Sequence, residues 1–227
     1  MTRPIPLFAA FIAGFLSFIS PSVVVLIPGY VAFVAGAARQ ARWRVSTVGF
    51  VAAFSVTPIV LASTRPGALL SRHMALLGAI AGAVVLLAGL HTMGVATISK
   101  LRTYGLDAIA VGAAFALAWT PAGSRTLDLV LALAAQPDGQ MTAVPLLAVY
   151  AAGLAIPFVL TAAAVDQFLA SVAPLRRDDS QIRPDDMRYD GTIEFAAGTA
   201  MMVMGLLMLT SHFAPLARLL APYLPTF

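Results

Sequence analysis

The sequence predicts an all-α integral membrane protein with six transmembrane helices, arranged as two inverted three-helix repeats in which helices 1 and 4 are broken at proline. Of the 227 residues, 60% are apolar and only 11% are charged, whereas about a quarter of residues are charged in soluble proteins. Long apolar runs recur along the chain, each near the roughly 20 residues that a bilayer crossing needs. The first and fourth of these runs carry a hydroxyl residue followed by proline at positions one hundred apart, Ser20-Pro21 and Thr120-Pro121.

The apolar runs are expected to cross the membrane at about residues 7–37, 45–63, 74–98, 107–135, 141–165 and 192–212. The first run is longer than one straight crossing needs, and it contains both Pro21 and Pro28. Proline removes a backbone donor and clashes with the preceding helical turn. We therefore expect the backbone to open in mid-membrane, which is tolerated only where protein or a water-filled cavity satisfies the freed groups.

The two halves of the chain, residues 1–100 and 101–227, are expected to be copies of one unit within a single membrane domain. Three pairs of residues match at a spacing of one hundred positions: Pro21 with Pro121, Phe15 with Phe115, and Ser20 with Thr120. Because each half has three crossings, the second half must be inverted relative to the first. Inverted repeats with discontinuous helices are a recurrent transporter plan, with the substrate site at the breaks. Prolines that merely kink ordinary membrane helices are the alternative interpretation.

The distribution of charge predicts the orientation and the partners. Most lysines and arginines lie in the loops after the first, third and fifth runs, and such loops are usually cytoplasmic. Both termini would then be extracytoplasmic. The basic residues are scattered instead of clustered on one face, so we expect the lipid bilayer and no nucleic acid as a partner. The chain has no cysteine, which excludes a disulfide framework and a thiolate metal site, and we expect neither a metal nor a cofactor.

The breaks supply most of the candidate site residues. Prolines and a glycine are expected to act as hinges: Pro21, Pro28, Gly29, Pro121 and Pro157. Polar residues within the apolar runs are candidates to line a cavity: Ser20, Thr120, His91, Arg125 and Asp128. Arg125 and Asp128 are three positions apart and could pair on a helix, either along an aqueous path or as a self-neutralised pair near the outer interface. His91 is either a proton relay or a structural histidine.

Four strings, in order along nearly the whole chain, are similar to those of one known family. Residues 11–30 read FIAGFLSFISPSVVVLIPGY, and residues 114–122 read AFALAWTPA. They resemble the first and fourth helices of the CcdA/DsbD transmembrane thiol-disulfide transporters, which read close to AGxLSFLSPCVLPLxPGY and AFALGWTPC. The shorter strings at residues 89–91 and 153–158 resemble the third and fifth helices of that family.

This resemblance implies a six-helix transporter of reducing equivalents in a bacterial or archaeal cytoplasmic membrane. Such a protein accepts electrons from cytoplasmic thioredoxin and passes them to an extracytoplasmic thioredoxin-like acceptor, often for cytochrome c maturation. Family members carry a cysteine after each of the two prolines, and these positions hold Ser22 and Ala122 here. Since neither side chain can attack a disulfide, we expect the chain as written to be redox-inactive.

Two explanations for the missing cysteines remain open. Serine and alanine are the nearest small replacements for cysteine, which is consistent with deliberate substitution. Natural loss is the other explanation, because Val25 and residues 123–125 also depart from the family strings. An alternative function is a small-solute or ion permease that uses the same broken-helix cavity without redox chemistry. A structural assembly factor is a third possibility.

Overall fold

The fold is all-helical over the part of the chain that the computed structural model describes, namely residues 7–38, 43–63, 73–95, 106–119, 140–172 and 192–223. Nine α-helices lie in these ranges: α1 Leu7–Ser17, α2 Pro21–Val24, α3 Ile27–Ala38, α4 Trp43–Ser63, α5 Met74–Thr92, α6 Leu106–Trp119, α7 Gln140–Val172, α8 Thr192–Leu209 and α9 Phe213–Leu220. A short 3₁₀ turn, Ala221–Tyr223, follows α9.

Three of the described helices are long and apolar enough to cross a membrane alone. These spans are Trp43–Leu61, Ala75–Thr92 and Ala143–Ser171, within α4, α5 and α7. The helices α1, α3, α6 and α8 are shorter but also apolar. Large apolar side chains point outward along these helices, for example Phe8, Val48, Leu76, Leu160 and Phe195. Such a surface is unfavourable in water and suits lipid, so the fold is that of a multi-pass membrane protein.

Extensive packing joins helices of the first half of the chain to helices of the second half. The helix α1 packs on α7, α3 packs on α8 and α7, α4 packs on α6 and α7, and α5 packs on α8 and α6. The two halves therefore interleave and share one hydrophobic core.

Glycines bring α5 and α8 into backbone contact. A Cβ atom added at Gly82 would lie 2.7 Å from the carbonyl oxygen of Gly205, and one at Gly89 would lie 2.8 Å from that of Gly198. Because position 82 meets 205 while position 89 meets 198, the two helices run antiparallel. Small residues allow such close approach between membrane helices, where no hydrophobic effect drives association.

An aromatic core fills the space between α3, α4, α6 and α7. The centre of this core is the Phe50 ring, which is fully buried. Five ring centroids lie 4.7 to 5.9 Å from it, those of Tyr30, Phe33, Phe54, Phe115 and Phe158. These aromatic side chains pack α3 and α4 against α6 and α7.

Candidate functional site

The first apolar run is interrupted between α1 and α2. The amides of Phe18, Ile19 and Ser20 each donate to the carbonyl three residues earlier, at 3.0 to 3.3 Å, so the last turn is tightened to 3₁₀ geometry. Ser20 then adopts an extended conformation with φ −66° and ψ 150°, because the residue before proline is disfavoured in the α region. Pro21 begins α2, where its missing N–H would have had no helical partner anyway.

A second junction lies between α2 and α3. Val25 and Leu26 form a turn, and Pro28 falls in the first turn of α3, where its ring is exposed. Gly29 is buried, and a Cβ atom there would lie 2.9 Å from Phe115 Cζ and 3.0 Å from Met204 Cγ. The absence of a side chain at Gly29 therefore lets α3 approach α6 and α8 closely.

Ser22 lies at the start of α2 in a buried polar contact with the second half of the chain. The Oγ atoms of Ser20 and Ser22 are 3.1 Å apart, and these residues are only 3% and 6% exposed. The indole Nε1–H of Trp119 donates to Ser22 Oγ at 3.3 Å. Trp119 is the last residue of α6 and directly precedes Thr120 in the sequence. The structure thus brings Ser22 to the residue that directly precedes the second hydroxyl–proline string.

A second buried hydrogen bond adjoins this contact. The Tyr150 hydroxyl of α7 donates to Ser17 Oγ at 2.7 Å, and Ser17 Oγ donates to the Ala13 carbonyl oxygen at 2.7 Å. The Tyr150 ring stacks on the Trp119 ring, with the centroids 6.3 Å apart and the planes 18° apart. We call Ser17, Ser20, Ser22, Trp119 and Tyr150 the break cluster, because they surround the end of α1 and come from α1, α2, α6 and α7 and from the residue before α2.

Pro157 lies on the α7 side of the same break. It is buried inside α7, and its carbonyl oxygen accepts a hydrogen bond from Thr161 Oγ1 at 2.8 Å. The next residue, Phe158, accepts a hydrogen bond at its carbonyl oxygen from the Tyr30 hydroxyl at 2.9 Å. The Phe158 ring packs edge-to-face on Phe18, with centroids 5.3 Å apart. Pro157 is therefore connected to the break by Phe158, which contacts Phe18 and Tyr30.

The remaining predicted residues lie elsewhere. His91 is half-buried in the last turn of α5, next to the contact between Gly89 and Gly198. The predicted site residues of the second string lie outside the described residues: Thr120, Pro121, Ala122, Arg125 and Asp128. The described part of the candidate site therefore consists of the break in the first apolar run and Trp119.

Sequence reasoning did not single out Trp119 or Tyr150 as site residues. Each is at most 2% exposed and carries a polar hydrogen. A buried indole N–H or phenol hydroxyl normally finds a hydrogen-bond partner. That requirement is the signal that could have placed these two residues beside the serines of the first run.

Two curated bacterial proteins are similar to this chain over nearly its whole length. The cytochrome c-type biogenesis protein CcdA of Halalkalibacterium halodurans is 29% identical over 96% of this chain and 96% of its own length. A putative cytochrome c-type biogenesis protein of Haemophilus influenzae is 28% identical over 90% of this chain and 95% of its own length. No family model matches the chain, and no solved structure matches it.

Proposed function

We propose that this chain, a CcdA/DsbD-like membrane protein, is built as a transporter of reducing equivalents for cytochrome c biogenesis and lacks the reactive atoms of that transport. Both relatives are named for cytochrome c-type biogenesis. The observation that carries the proposal is the buried contact between Ser22 and Trp119, which joins the two strings in which the family holds its cysteines. The relatives do not favour a permease.

The proposed chemistry needs one sulfur atom after each proline. A thioredoxin thiolate attacks a disulfide between positions 22 and 122, and the second thioredoxin thiol resolves the mixed disulfide, which leaves thioredoxin oxidised and a dithiol at positions 22 and 122. That dithiol later reduces the disulfide of a thioredoxin-like acceptor on the other side by the same two exchanges. Ser22 and Ala122 cannot form that disulfide. The chain as written therefore carries no electrons, and cytoplasmic thioredoxin and an extracytoplasmic acceptor are its proposed partners only when both thiols are present.

Helix packing supports six spans arranged as an inverted repeat. Exchanging the halves converts the α1–α7 contact into the α6–α4 contact. It also exchanges Gly82 opposite Gly205 with Gly198 opposite Gly89. We propose that Pro21 and Pro121 break equivalent helices, that Pro28, Gly29 and Pro157 serve as hinges, and that both termini are extracytoplasmic.

Restoration of the thiols tests the function. The variant Ser22→Cys with Ala122→Cys is expected to form an intramolecular disulfide and to be reduced by thioredoxin, whereas either single variant forms none. The control pair is Ser22→Cys with Ser171→Cys, because Ser171 is exposed near the end of α7, outside both strings. Failure of the first pair to exchange with thioredoxin would overturn the proposal.

A further inference from the structure

The helix α9 follows α8 through a tight turn. Ser211 has a left-handed backbone, with φ 59°, and its amide donates to the Met208 carbonyl oxygen at 3.1 Å. The amide of His212 donates to the Leu207 carbonyl oxygen at 3.0 Å. These two bonds form a Schellman motif, which ends a helix and turns the chain. Only residues 210–212 separate the two helices, so the turn holds α9 close to the end of α8.

One side of α9 packs on the protein. The helix α9 contacts α2, and Leu220 packs against the hydrophobic core. Successive residues of an α-helix are about 100° apart around its axis. Arg218 therefore lies on nearly the opposite side of α9 from Leu220, and Leu219 lies between them. Arg218 is exposed and is the charged residue of this helix.

The side of α9 that carries Leu219 is apolar and open. Leu219 is 69% exposed, and Tyr223, in the 3₁₀ turn that follows α9, is 84% exposed. Leu206 and Leu209 are also exposed, at the adjoining end of α8. The apolar surface of the transmembrane helices thus reaches the turn from which α9 begins.

The length and the polarity of α9 together limit where it can lie. Its eight residues extend about 12 Å, whereas the hydrocarbon core of a bilayer is about 30 Å thick. Exposed leucine is unfavourable in water, and an arginine is costly in hydrocarbon. The membrane interface accommodates both, because it offers apolar acyl chains on one side of the helix and headgroups and water on the other.

We propose that α9 is an interfacial helix that binds the headgroup region of the lipid bilayer. Leu219 inserts at the boundary between headgroups and acyl chains, Tyr223 lies at the headgroup level, and Arg218 pairs with lipid phosphates. The opposite side of α9 packs on α2, so the bilayer surface holds α9 against the helix that carries Ser22. This inference goes beyond the proposed function and does not depend on any redox chemistry.

Single spin labels in the cysteine-free chain test the proposal. Leu219→Cys and the neighbouring control Arg218→Cys are each labelled with a nitroxide and reconstituted in vesicles of phosphatidylcholine and phosphatidylglycerol. Collisions with oxygen, which concentrates among acyl chains, are compared with collisions with a water-soluble nickel chelate. The ratio of oxygen to nickel collisions should be several-fold higher for Leu219→Cys, at a depth of about 5–10 Å below the headgroup surface. Leu206→Cys, on an exposed position of α8, supplies the lipid-exposed reference.

Two results of this experiment would overturn the proposal. Preferential collision with the nickel chelate at both positions of α9 would place the helix in water. Spin–spin broadening at Leu219→Cys that disappears on dilution with unlabelled protein would show that a second copy of the chain covers this side of α9.

A fluorescence measurement tests the same surface without a label on α9. In Trp43→Phe with Tyr223→Trp, the introduced tryptophan is added to the buried Trp119, and Trp43→Phe alone is the matched control. Lipids brominated near the headgroup should quench the introduced tryptophan more strongly than lipids brominated near the ends of the acyl chains. Quenching no greater than in the control, or stronger quenching by the chain-end bromines, would refute the interfacial position of α9.

Discussion

Trp119 and Ser22 lie 97 positions apart in the sequence, and the indole N–H of Trp119 donates to the Ser22 hydroxyl oxygen at 3.3 Å. This hydrogen bond joins the break after α1 to the last residue of α6. In the sequence, Thr120 and the second hydroxyl–proline string follow Trp119 directly.

Gly82→Ala is expected to destabilise the protein by about 1–3 kcal/mol, because the new methyl group would push α8 away from α5. A Cβ atom at Gly82 lies 2.7 Å from the Gly205 carbonyl oxygen. Thermal unfolding in detergent, followed by circular dichroism, measures the effect. Gly78→Ala is the matched control on the same helix, since nothing lies within 4 Å of a Cβ atom there. Equal melting temperatures for both variants would contradict the packing of α5 on α8.

Tyr150→Phe is expected to cost about 0.5–1.5 kcal/mol, the usual net contribution of a hydrogen bond, because it removes the donor to Ser17 Oγ. A double-mutant cycle with Ser17→Ala isolates this pair, and the two changes should be less than additive. Tyr223→Phe, at a side chain that is 84% exposed, serves as the control. Strict additivity of the Tyr150 and Ser17 changes would show that the bond contributes nothing to stability.

Pro21→Ala is expected to slow disulfide formation between cysteines introduced at positions 22 and 122. Alanine restores a backbone N–H and relieves the restriction on Ser20, so helix can extend through the break. Position 22 would then rotate away from Trp119. The rate of oxidation in the two-cysteine background measures this change, and Pro215→Ala on the exposed part of α9 is the control. An unchanged rate in Pro21→Ala would show that Pro21 does not maintain the break.

The orientation of the chain in the membrane can be measured by labelling single introduced cysteines, because the chain has no cysteine of its own. Ser211→Cys, in the turn between α8 and α9, should react with an impermeant maleimide added to intact cells. Ser180→Cys, in the loop after the fifth run, should react only after the membrane is permeabilised. The opposite pattern would reverse the predicted topology and place both termini in the cytoplasm.

Some features followed from the sequence, whereas others depend on tertiary contacts. The helical membrane fold follows from low charge and long apolar runs, and the hydroxyl–proline pair drew attention to Ser20 and Pro21. Helix pairing did not follow, because the runs are apolar on every side and show no single buried face. The opposition of Gly82 and Gly205 is visible only once α5 and α8 are packed. Tyr150 was overlooked for the same reason, since its partner belongs to another helix.

Thiol-disulfide transport by this fold is tested most directly in the variant Ser22→Cys with Ala122→Cys. Its redox state in native membranes is measured by mass spectrometry before and after incubation with reduced thioredoxin. We expect a disulfide between positions 22 and 122 that thioredoxin reduces, with no such species in either single variant. Two free thiols that never pair under oxidising conditions would contradict the claim that this fold is a thiol-disulfide transporter without its sulfur atoms.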